Sequence, residues 1–101
     1  MLLRKKDRDT IIGIAKQTIH TPVRVLAYGS RVSGEAHDTS DLDLVLVTLD
    51  EKKINRYELA EFKTHLQDSN IPILTQVLDW QNIPESFHQN ILKCHEELLA
   101  T

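Results

Sequence analysis

The sequence predicts an α/β domain with the element order α-β-α-β-α-β-α, and three observations carry that expectation. Segments of helical period alternate with short β-branched or apolar runs. One of those runs, Leu42–Val47, is apolar almost throughout, as befits a strand covered on both faces. Turn and breaker residues stand between the segments, at Thr21-Pro22, Gly29, Asp68-Ser-Asn70 and Pro84. The chain of 101 residues has room for a single domain, taken as 1–101.

The first helix is read from Ile11, Ile12, Ile14, Ala15 and Ile19, which form a stripe over Thr10–Ile19, with Asp7 and Asp9 near its positive end. Proline at 22 stops it, because the residue before a proline is pushed out of helical geometry. Val23–Tyr28 then reads as a strand ending at Gly29. A short helix is expected over Arg31–Ala36, followed by a polar loop, His37–Ser40, and the strand Leu42–Val47. Lys52–Gln67 places Leu59, Phe62 and Leu66 on one helical face. Ile71–Leu78 is the third strand, with its proline near the start, where strands tolerate it. Asn82 and Pro84 open a last helix carrying Phe87, Ile91 and Leu98 on one side.

Composition narrows the function. An apolar content of 41 % and a charged content of 27 % are those of an ordinary globular chain. No run approaches the about 18 apolar residues of a membrane helix, so no membrane partner is expected. The start, Met1-Leu-Leu-Arg-Lys-Lys, reverses the order of a signal peptide. Cys94, the one cysteine, has no disulfide partner, and the cytoplasm is the expected compartment. A net charge of −3 gives no strong nucleic-acid signal. Arg4, Lys5, Lys6 and Arg8 read as a solvated face before they read as a surface for an acidic partner or a polyphosphate. A chain this small buries a modest share of its surface, so a homo- or hetero-oligomeric contact would add stability.

The chemistry concentrates in Tyr28–Val47. Glycine after a strand permits a sharp bend and the close approach of a ligand. Serine next, at a helix start, offers a hydroxyl and backbone N–H groups to an anion. Ten residues separate Ser30 from Asp41, which with Asp43 stands at the rim of an otherwise apolar strand. Side chains alternate along a strand, so the two carboxylates project from one face and can share a divalent cation through hard oxygen donors. Read alone, each half has a plain alternative: a helix entry for Gly29-Ser30, solvent-facing charge for the aspartates. Arg31 reads evenly as a phosphate contact or as a solvated arginine at a helix start. His37 reads as a loop residue, and Trp80 as an anchor after the third strand.

Gly-Ser-Arg-x-x-Gly-x-Ala-x-x-x-Ser-Asp-x-Asp-Leu, from Gly29 to Leu44, resembles the signature of the minimal nucleotidyltransferases, small members of the DNA polymerase β-like superfamily. A looser similarity extends through the third strand, Asp79-Trp80 and the helix of Phe87. The resemblance implies the nucleotidyltransferase fold, a small mixed sheet flanked by helices. It implies nucleotide binding by Gly29, Ser30, Arg31 and Ser40, and catalysis by Asp41 and Asp43 holding Mg²⁺, with Mn²⁺ an alternative. The implied reaction moves a nucleoside monophosphate, AMP foremost, from ATP or another NTP to an acceptor hydroxyl, releasing pyrophosphate. It also implies a HEPN-type helical protein as partner, the two forming an antitoxin and toxin.

The chain departs from the family at one position. A third aspartate is usual on the next core strand, and counting back from Asp79-Trp80 the corresponding residue is Gln76. Glutamine can lend a metal a neutral oxygen but cannot take a proton as a carboxylate does. Asp79, three residues on, falls on the opposite strand face. The alternative function is therefore a nucleotide-binding or partner-binding subunit with weak or absent turnover.

Overall fold

The computed structural model describes residues 3–34 and 41–100. Helix α1 (Lys5–Thr18) leads into strand β1 (Val23–Tyr28) and a single helical turn, α2 (Ser30–Ser33). Strand β2 (Leu42–Thr48) is followed by α3 (Arg56–Gln67) and β3 (Thr75–Asp79). A 3₁₀ turn at Trp80–Asn82, helix α4 (Glu85–Lys93) and strand β4 (His95–Ala100) complete the order. The four strands form one mixed sheet in the order β3-β2-β1-β4. β1 runs antiparallel to both neighbours, while β2 and β3 run parallel, joined through α3.

The α/β class and the flanked mixed sheet match the expectation; the last segment does not. The last helix stops at Lys93, and Leu98 lies on β4, buried against the α1 side of the sheet. Cys94 is exposed at the junction between α4 and β4. β1 supplies the reason, since its second edge would otherwise leave a row of buried N–H and C=O groups unpaired. Register runs from Tyr28↔His95 to Arg24↔Ala100, with an irregularity between Val25 and Leu26.

Other limits shift for local reasons. α1 begins at Lys5 rather than Thr10; Arg4, just before the helix, reaches forward over the first turn to grip Asp7 with two hydrogen bonds, at 2.9 and 3.1 Å. α3 begins at Arg56 rather than Lys52, because the Asn55 side chain accepts from the N–H groups of Tyr57 and Glu58 at 2.8 and 3.3 Å. Glu58 then ties the helix to the α1–β1 connection, accepting from the Thr21 hydroxyl at 2.8 Å. The third strand starts at Thr75, not Ile71, and the second runs one residue beyond Val47. The expected helical segment at 35–36 and the polar loop 37–40, with Ser40 and His37, lie outside the described residues.

The sheet separates two cores. Leu42, Leu44 and Leu46 face one side, packing with Val23, Val25 and Ala27 beneath Ile11 and Ala15 of α1 and Phe62 and Leu66 of α3. Val45 and Leu26 face the other, under Ile91 of α4 with Tyr28, Trp80 and Phe87 alongside. β2 is thus covered on both faces, which is why its sequence is a continuous apolar run. Among the described residues no helix is long and apolar enough to cross a membrane.

Candidate active site

The site lies where β1 ends and β2 begins. Gly29 sits at φ +84°, ψ −161°, a conformation closed to residues with a Cβ, and caps the turn α2. Its carbonyl accepts from the N–H groups of Val32 and Ser33 at 3.1 and 3.0 Å, which holds Ser30 at the head of the turn. A methyl group built on Gly29 would come 2.5 Å from Asp43 Oδ2. The glycine is therefore required twice, for its backbone angle and for the space the carboxylate fills. Arg31 is buried in the turn, not solvated.

Asp41 immediately precedes β2 and Asp43 is its second residue, so both project from the α4 side of the sheet, with Val45. Gln76 occupies the register position opposite Asp43 on β3, and its amide Nε2 donates to Asp41 Oδ2 at 3.4 Å. Asp79 points to the other face, is buried, and caps the 3₁₀ turn by accepting from the N–H of Gln81 at 3.2 Å. The strand face therefore brings together Asp41, Asp43 and Gln76, with Gly29 beside them, and leaves Asp79 out.

Register reveals two residues that motif reading did not single out. Gln76, Asp43, Tyr28 and His95 stand opposite one another on consecutive strands, one polar row crossing the whole sheet. The Tyr28 ring meets Phe87 of α4 edge-on at 5.8 Å between centroids. Burial pushes its phenol up to about 12, and the Asp43 charge adds to the effect. His95 keeps a buried Nδ1 with no hydrogen-bond partner among the described residues. Only the pairing of distant strands places these side chains in line, so no local pattern could have announced His95.

Asp43 is half-buried, and its carboxyl is raised above the ordinary value, first by loss of water and then by the neighbouring charge of Asp41. Two crowded carboxylates, one of them partly desolvated, favour a cation between them. The donor set fits a hard divalent ion: carboxylate oxygens from Asp41 and Asp43, and a neutral amide oxygen from Gln76 if that side chain is turned. This set carries one negative charge fewer than three carboxylates would.

Elsewhere the tempting residues settle into structural roles. The Trp80 indole stacks on His88 at 3.7 Å and 3°, and His88 Nε2 lies 2.7 Å from the Trp80 carbonyl oxygen. Trp80 is thus an anchor, as expected. In the N-terminal basic cluster, Arg4 is paired with Asp7 and Arg8 lies 3.9 Å from Glu96. Among the described residues no group of three or more His, Cys, Asp or Glu side chains gathers as a metal centre.

Known proteins resemble this chain in sequence and in fold. Residues 9–101 match the family model described as polymerase beta, nucleotidyltransferase. The probable protein adenylyltransferase MntA of Haemophilus influenzae is 30 % identical over 91 residues, covering 90 % of this chain and 78 % of that protein. A crystallised toxin–antitoxin complex with AMP-PNP superposes with a TM-score of 0.75 at 17 % identity, over 93 % of this chain and 73 % of the other. The complex of the tri-AMPylated Shewanella oneidensis HEPN toxin with its MNT antitoxin gives 0.71 at 13 % identity, over 98 % and 74 %. At those identities the two structural matches speak for the fold.

Proposed function

The chain belongs to the polymerase β-like nucleotidyltransferases, among their minimal members, and from that premise we propose that it transfers AMP from ATP to a hydroxyl of a HEPN-type partner protein, as the antitoxin of the pair. One observation carries the assignment. The turn suited to phosphate and the carboxylate pair suited to metal are in contact, with Asp43 filling the space a Gly29 side chain would need. The relatives support the choice of AMP, protein acceptor and helical partner, since one is a probable protein adenylyltransferase and two are toxin–antitoxin complexes.

In this reading Gly29 and Ser30 hold the triphosphate, assisted by Arg31 and by Ser40, which lies outside the described residues. Asp41 and Asp43 would hold Mg²⁺, which when bound would supply positive charge to offset that developing on the phosphates. The acceptor oxygen bonds to the α-phosphorus in line with the departing bridge oxygen. That bond breaks, and pyrophosphate leaves with the electron pair. The hydroxyl proton passes to solvent, because Gln76 has no basic oxygen to receive it. Positioning and charge neutralisation are left to do the catalysis.

Wild-type chain, Asp41→Asn/Asp43→Asn and Gln76→Asp, incubated with α-labelled ATP, Mg²⁺ and the co-expressed partner, give the test. Label is expected on the partner with wild type and not with the double variant. Gln76→Asp is expected to raise the rate by about 10²–10⁴-fold, the usual worth of a general base. The amide contact from Gln76 to Asp41 favours a second reading, in which the site binds nucleotide without turnover. A silent wild type beside an active Gln76→Asp would decide for it. Mg²⁺-dependent ATP binding absent from wild type by calorimetry would reject both.

A further inference from the structure

Beside the carboxylates a groove of about 650 Å³ runs between the last turns of α3 and strand β3, and Asp41 and Gln76 line one end of it. Its walls include Leu66, Ile73 and Leu74, with Lys63 on the helix side. Leu74 is 73 % exposed, a large apolar side chain held out in water. Lys63 is exposed and makes no ion pair among the described residues.

β3 is an edge strand of the sheet, and no strand pairs with its outer side among the described residues. The Leu42 N–H donates to the Leu74 carbonyl at 2.8 Å, with Leu42 opposite Thr75. Parallel pairing then turns the backbone groups of residues 74, 76 and 78 toward β2 and those of Thr75 and Val77 outward. Edge strands are commonly blunted by lysine or proline. Thr75–Asp79 contains neither.

Resting on the function proposed above, we propose that this groove receives an extended segment of the acceptor protein, paired as an added strand along the outer edge of β3 and carrying an acidic residue toward Lys63. In-line displacement sets the direction of approach. Pyrophosphate departs toward Gly29 and Ser30 at the end of β1, the carboxylates stand on β2, and the attacking hydroxyl must come from the far side, which is β3. Outward N–H and C=O groups are satisfied by another backbone and not by a nucleoside, which favours a polypeptide. Leu74 supplies apolar contact, and Lys63 selects an opposite charge. The acceptor oxygen thereby arrives next to Asp41 and Gln76, bonds to the α-phosphorus and releases pyrophosphate and its own proton, as above.

The test uses the whole chain and short synthetic peptides, each bearing one Ser, Thr or Tyr and varied in flanking charge. Affinity, amide hydrogen exchange and, separately, Mg²⁺–ATP binding are measured. Acidic peptides are expected to bind and to slow exchange at the Thr75 and Val77 amides. Leu74→Ser should weaken them by about tenfold, Lys63→Glu should reverse the charge preference, and neither should alter ATP affinity. No peptide bound, or binding without protection of those two amides, overturns the proposal. So does protection by Mg²⁺–ATP alone with ATP weakened in Lys63→Glu, since the groove would then hold the nucleoside. Peptide binding that persists in a chain unable to take Mg²⁺–ATP sustains the groove and rejects the transferase reading.

Discussion

Gly29 and Asp43 show how few substitutions the site can bear. Gly29→Ala adds a methyl group where Asp43 Oδ2 stands and forces φ +84° on a residue with a Cβ. Such strain costs about 1–3 kcal/mol, so denaturant melts should show a loss of that size, with weaker Mg²⁺-dependent ATP binding. A variant as stable as the parent would mean that Asp43 swings aside freely. Tyr28 gives a pH signature. Its phenol is held neutral in the fold, at about 12 against an ordinary 10.0. The unfolded chain therefore loses that proton first as pH climbs, and stability falls between those two values. Ultraviolet titration of Tyr28→Phe should lack the highest step. Asp43→Asn should lower that step without restoring the ordinary value, because burial is the larger cause. An unchanged step in Tyr28→Phe would overturn the assignment. The carboxylate pair is legible in the sequence because strand alternation is local. Its contacts with Gly29 and Gln76 are not, because they arise between strands.

Elements show where local pattern is enough and where tertiary pairing prevails. β1 has the expected limits, Val23–Tyr28, since Pro22 and Gly29 bracket it with opposite backbone demands. Local pattern makes α3 four residues too long because Lys52–Asn55 is polar enough to continue a helix, while the cap that starts it is a single asparagine side chain. Asn55→Ala should cost about 1 kcal/mol in thermal or denaturant melts; no loss would remove the cap from the account. β4 escapes local pattern for a deeper reason. Its residues, His-Glu-Glu-Leu-Leu-Ala, are mostly good helix formers, and Leu98 continues the spacing of Phe87 and Ile91. What makes them a strand is the open edge of β1, a fact about another part of the chain.

At the scale of the whole molecule, ligand binding should be visible as stability. A ligand at 100 times its dissociation constant stabilises the folded state by about 2.7 kcal/mol, which for a domain of this size raises Tm on the order of 10 °C. Mg²⁺ with ATP should give that shift, ATP with chelator much less, and Asp41→Asn/Asp43→Asn none; an equal shift in the double variant would rule out the carboxylates as the metal's holders. The sheet order has one more consequence, for the way the chain folds as it is made. β1 pairs with β2 soon after both emerge, but its other flank bonds to His95–Ala100, and Tyr28 must wait for His95. Contacts this distant in sequence close slowly. Until β4 arrives, the nascent chain carries an inner strand with one bare flank, and in that interval any extended segment nearby can compete for it.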